Sequence, residues 1–152
     1  MAMELSSPAF RHGATLPERC VRGGADRSPP LRWSDPPEGT RSLALLMEDP
    51  DAADGLFTHW LVFDLPPDLR QLPEGGRDVG VAGRNDFHGN GWGGPAPPPN
   101  EGEHRYVFRL LALDVERLDL GAGATREQVL DAARGHVLDE AVLAGRFGRH
   151  VG

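Results

Sequence analysis

The chain has 152 residues, 39% of them apolar, which suits one domain with a buried core over residues 1–152. Its formal charge of -7 argues against nucleic acid or an anionic membrane surface as the main partner. All 16 basic residues are Arg, so a Schiff-base lysine mechanism is excluded.

The stretch from Met1 to Pro8 has no basic or apolar signal region, so no secretory leader is expected. Cys20 is the single cysteine, which rules out an internal disulfide and any Cys-x-x-Cys metal motif. It reads as an inert thiol, with no basic arrangement to lower its pKa. No apolar run nears the roughly 18 residues that span a bilayer. These features predict a soluble, cytoplasmic protein with no integral membrane segment.

Twenty Gly and 14 Pro divide the chain into short segments, which favours a mainly β fold. Residues Ser42 to Asp49 alternate, with Leu43, Leu45 and Met47 on one face. Phe57 to Leu65 do the same with Phe57, Leu61 and Phe63. A Gly/Pro-rich loop follows, from Gly83 to Pro99, whose glycine N–H groups suit an anion nest. Its His88 is expected to face solvent. His104 to Leu113 place Tyr106, Phe108, Leu110 and Ala112 on one face, with Arg105 and Arg109 opposite. Period-two patterns predict strands with one buried side. A helix is signalled by the Thr125/Gln128 capping box, the stripe of Val129, Ala132 and Ala133, and the stop at Gly135. Val137 to Phe147 fit a helix or a strand equally well.

Parity carries three ionisable groups to the inward faces. Asp49 follows Leu43, Leu45 and Met47; His59 lies with Phe57 and Leu61; His104 lies with Tyr106 and Phe108. The short connection from Pro50 to Leu56 brings the Asp49 and His59 ends together if the strands pair antiparallel. His104 opens its strand just after the Pro-rich segment and joins them at that end. A carboxylate beside two imidazoles orients them and favours their charged forms. Two donor imidazoles then suit a phosphate or carboxylate. The competing reading is that each His hydrogen-bonds backbone, and His59, His104 and Asp49 also form a donor set zinc or iron accept. They lack any short ligand motif, so no metal and no cofactor is expected. Asp51 either orients His59 or caps the turn after Asp49. Tyr106 fits the core as well as a pocket, and Trp33, Trp60 and Trp92 fit packing.

Several motifs occur in order: Ala25 to Trp33, Glu48-Asp49-Pro50-Asp51-Ala52, Thr58-His59-Trp60, Gly94-Pro95-Ala96-Pro97-Pro98 and His104-Arg105-Tyr106. The set resembles the phosphatidylethanolamine-binding protein family, in particular its short bacterial branch, which is related to Raf kinase inhibitor protein. The likeness runs from about Pro8 to Arg149. It implies an antiparallel β-sandwich with one or two short peripheral helices and an anion pocket at one end. It also implies that Leu138 to Phe147 is a strand. By motif, the pocket comprises Asp49, Asp51, Phe57, His59, Gly94, Pro95, Ala96, His104 and Tyr106. The sequence departs from the family pattern at four places. Ala53 stands at a usual proline, Phe57 at the usual pocket tryptophan and Ala96 at a small residue that is often cysteine. The chain ends at Gly152 without the helix that flanks the pocket in eukaryotic relatives.

The function expected from both lines is non-catalytic binding of a small anionic ligand, a phosphate, carboxylate or phospholipid headgroup. Modulation of a protein partner such as a kinase or protease, and a homodimer, are left open. The alternative is an enzyme of lyase or cyclase type using Asp49, His59 and His104 as general acid–base groups. No Gly-x-Ser-x-Gly elbow occurs, which disfavours a serine hydrolase.

Overall fold

A computed structural model of the chain describes residues 2–76, 79–98 and 102–148. The expectations placed on Met1, Pro99, Arg149 and the chain end at Gly152 fall outside them. Eight strands form two antiparallel sheets among the described residues. The smaller contains β1 (Leu5–Ser6), β2 (Leu31–Trp33) and β5 (Gln71–Leu72) in the order β1-β2-β5. The larger contains β3 (Ser42–Asp49), β4 (Phe57–Leu65), β6 (Val81–Ala82), β7 (His104–Leu113) and β8 (Val137–Phe147) in the order β6-β4-β3-β7-β8. The mainly β sandwich is therefore as expected, with the ambiguous segment resolved as strand β8. One helix, α1 (Arg126–Ala133), starts at the capping box: Thr125 Oγ1 accepts from Gln128 N, and Thr125 N donates to Gln128 Oε1. Gly135 follows at a positive φ of 80°, which glycine adopts at little cost.

Strands β3 and β4 of the large sheet are buried on both faces, not one, whereas β8 keeps one face exposed. Leu43, Leu45 and Met47 pack with Trp33, Phe108 and Leu110 on the side of the small sheet. Ala44 and Leu46 pack with Leu61, Phe63 and Val129 on the side of α1. The continuous apolar run of β3 is what a strand enclosed by two layers requires.

The face assignment of β4 also changes. Met47 pairs with Trp60, but Glu48 pairs with Thr58, so His59 is an extra residue opposite no β3 partner. A second shift lies between the Leu43–Leu65 and Leu45–Val62 pairs. A bulge reverses the alternation beyond it. Leu61 and Phe63 consequently face α1, while Trp60 and Val62 turn into the inter-sheet core beside His59. Simple parity had put Leu61 and Phe63 on the face of His59; the bulge overturns that.

Candidate functional site

The three ionisable groups converge as their spacing predicts. β3 and β4 are antiparallel with Asp49 opposite Phe57, and β7 runs antiparallel on the other edge of β3. This places the end of β3, the start of β4 and the start of β7 at one end of the sheet. Asp49 and His59 are each 3% exposed and His104 is 5% exposed. Burial at that level demands partners.

Each group has them. His104 Nδ1 donates to Asp49 Oδ2 at 2.7 Å. Asp49 Oδ1 accepts from Asp51 N at 2.8 Å, so both carboxylate oxygens are engaged. His59 Nδ1 lies 2.7 Å from the Gly93 carbonyl. A carbonyl only accepts, so Nδ1 carries the proton and the neutral ring keeps a bare Nε2. Burial holds the His59 imidazole below its ordinary pKa, outweighing Gly93 and Asp49, which favour the charged ring. The expectation of two charged donor imidazoles is corrected here: Asp49 orients His104 only, and His59 is kept neutral.

Asp51 does not reach His59 either. Its carboxylate clamps Arg105 through Nε at 3.0 Å, Nη2 at 2.9 Å and the backbone N–H at 2.8 Å. Arg105 in turn holds the Asp51 carboxyl below its usual range. The Asp49–Asp51 turn is thereby tied to the first residues of β7.

A cavity of about 120 Å³ opens over these groups. Asp49, His59, His104 and Tyr106 form its polar side. Phe57, Ala96 and Pro97 are among its apolar walls. The rings of Phe57, Phe87 and Tyr106 surround His59 with centroids 4.8, 5.3 and 5.3 Å away. Of the sequence-predicted site residues, Asp49, Phe57, His59, Ala96, His104 and Tyr106 line the cavity, whereas Asp51, Gly94 and Pro95 do not.

The Gly/Pro-rich loop is a strap, not an anion nest. The N–H groups of Gly89, Gly91, Gly93 and Gly94 donate to Asn85 Oδ1, Gly83 O, His59 O and Asp26 Oδ1. None of these four donors is left for a ligand. Gly94 is glycine because a Cβ there would sit 2.1 Å from the Cys20 carbonyl oxygen. Cys20 itself is fully buried, and desolvation pushes its thiol up to about 11.

Several contributors escaped sequence reasoning, among them Asn85, Phe87, Ala52 and Ala53. Asn85, 3% exposed, organises the strap: Oδ1 accepts from Phe87 N and Gly89 N, and Nδ2 donates to Gly91 O. That arrangement sets Phe87 on the cavity wall, with the Arg22 guanidinium 4.0 Å above its ring. Its only sequence signal was Asn in a glycine-rich turn. Ala52 and Ala53 also line the cavity, as small residues that leave its mouth open. His88 is exposed, as expected. Among the described residues, no group of three or more His, Cys, Asp or Glu is placed to hold a metal ion. No helix among them is long and apolar enough to cross a membrane.

Comparison with known proteins follows the same lines. The family profile "Phosphatidylethanolamine-binding protein" matches residues 6–148. A UPF0098 protein of Methanothermobacter thermautotrophicus is 46% identical, across 97% of this chain and 99% of its own. One from Aquifex aeolicus is 43% identical, across 97% and 89%. The crystal structure of a phosphatidylethanolamine-binding protein homolog, CT736 of Chlamydia trachomatis, superposes with a TM-score of 0.92 at 40% identity, covering 97% of this chain and 98% of that one. YbcL of E. coli gives a TM-score of 0.91 at 29% identity, over 97% and 99%.

Proposed function

Because the chain belongs to the phosphatidylethanolamine-binding protein family, we propose that it is a non-catalytic binding protein whose small cavity takes a phosphate or carboxylate group. The observation that carries this reading is the buried Asp49–His104 pair at the cavity, 2.7 Å between Oδ2 and Nδ1. Asp49 fixes the His104 ring with Nδ1–H toward itself. His59, held neutral by burial, lines the same cavity beside His104. The apolar walls strengthen each charge–charge contact by excluding water. A volume of about 120 Å³ suits an oxyanion or the end of a headgroup, not a whole lipid. A cytosolic setting rests on the single buried cysteine, and modulation of a partner enzyme such as a kinase or protease rests on family analogy.

Inorganic phosphate at about 100 times its Kd should stabilise the wild type by about 2.7 kcal/mol, read as a rise in Tm. His104→Ala, shown folded by circular dichroism, should lose most of that rise. An equal rise in both proteins rejects the site.

The His59 tautomer favours one second reading. A ring anchored through Nδ1–H with bare Nε2 is the form of a general base, and His104 opposite it could act as the acid. Lyase or cyclase chemistry would then run on the same residues. Substrate conversion that disappears in folded His59→Gln would favour it over binding alone.

A further inference from the structure

A second cavity, of about 650 Å³, opens where the edge of the large sheet meets β5. We propose that it binds a small organic molecule carrying an ammonium group, recognised by Trp60, Trp92 and Asp26. Its volume lies in the range of small-molecule sites. The floor is apolar and comes from the inter-sheet core, with Val62 and Leu65 among its residues. Trp60 and Trp92 line the wall as an edge-to-face pair, centroids 5.2 Å apart at 89°. Indole faces are electronegative and attract cations.

Asp26 supplies the charge. It stands on the cavity wall, held at a φ of 52°. Its Oδ1 accepts from Gly94 N at 2.8 Å, and it forms no ion pair within the described residues. The other acid on the wall, Glu74, is already paired with Arg19 and lies 3.9 Å from Arg27. Arg27 stands at the same rim and turns toward Glu74, which leaves Asp26 as the carboxylate for a cation.

This site is separate from the smaller cavity but shares a wall with it. His59 and Trp60 are neighbours in the β4 bulge, one facing each cavity. Asp26 grips Gly94, and the preceding Gly93 carbonyl holds His59.

The test is calorimetric titration of the full chain with benzyltrimethylammonium and, as the neutral control, benzyl alcohol. Intrinsic fluorescence reads occupancy directly, since two of the three Trp residues line the cavity. The cation should bind saturably and benzyl alcohol more weakly. Asp26→Asn keeps an acceptor for Gly94 N–H while removing the charge. It should weaken the cation about tenfold and leave the alcohol unchanged. Trp92→Leu, checked for folding, should weaken the cation as well. Equal binding of the two probes, an unchanged cation affinity in Asp26→Asn, or no saturable binding in the wild type each overturns the proposal. Displacement of the cation by inorganic phosphate would place both in the smaller cavity and overturn it too.

Discussion

His59 shows how one hydrogen bond decides what a residue can do. The Gly93 carbonyl selects its tautomer, and burial keeps the ring neutral. The pKa is lowered on folding from an ordinary 6.5, so the unfolded chain binds a proton that the native chain refuses. The stability this ring preserves is present above about pH 6.5 and is lost as pH falls toward its depressed native value. Urea midpoints of the wild type should therefore drop through that window more steeply than those of His59→Gln. Parallel curves would show that the buried ring is not the group titrating.

At the scale of the element, the strap from Gly83 to Pro98 explains why so many glycines gather in one loop. Its backbone lies against β4, with Gly83 N on Leu61 O, Asp86 N on Thr58 O and Gly93 N on His59 O. Contact that close leaves no room for side chains at particular points. A Cβ on Gly94 would meet Cys20 O at 2.1 Å, Asp26 Oδ1 at 2.7 Å and Arg22 N at 2.9 Å. Gly94→Ala should destabilise by about 2 kcal/mol or more, measured by chemical denaturation, and weaken phosphate binding by shifting the strap. Gly121→Ala is the control, because a Cβ there meets nothing within 4 Å and its φ is not positive. Lower unfolded-state entropy should leave Gly121→Ala neutral or slightly stabilised, so an equal loss at both positions would show that crowding at Gly94 is not the cause.

For the molecule as a whole, burial of β3 and β4 on both faces is the organising fact. Leu46 is fully buried among Leu61, Phe63 and Val129 on the α1 side. If that face were solvated, truncating Leu46 would be nearly neutral. With α1 covering it, Leu46→Ala should cost about 3 kcal/mol through lost transfer energy and a residual cavity. A urea midpoint unchanged by the substitution would contradict the second core layer. The same layering crowds the sheet's interior and leaves both cavities at its margins, one at the end of β3, β4 and β7 and one at the edge beside β5.

Local rules settled much of this protein in advance. Alternation bounds β3, β4 and β7 because side chains on strands alternate with period two, and the Thr125/Gln128 pair starts α1 because a capping box is local chemistry. Convergence of Asp49, His59 and His104 followed from strand ends joined by a short turn. Tertiary contacts decided what no local rule encodes. The bulge at His59 depends on pairing with β3, so it flipped the faces of Leu61 and Phe63 invisibly to sequence parity. Val137 to Phe147 became a strand because β7 offered an unpaired edge, which outweighs the segment's mixed propensity. The protonation of His59 and the exclusion of Asp51 from the cavity were set by Gly93 and Arg105, partners far away in the chain. Electrostatics and hydrogen bonding act through space, and only the folded chain defines those distances.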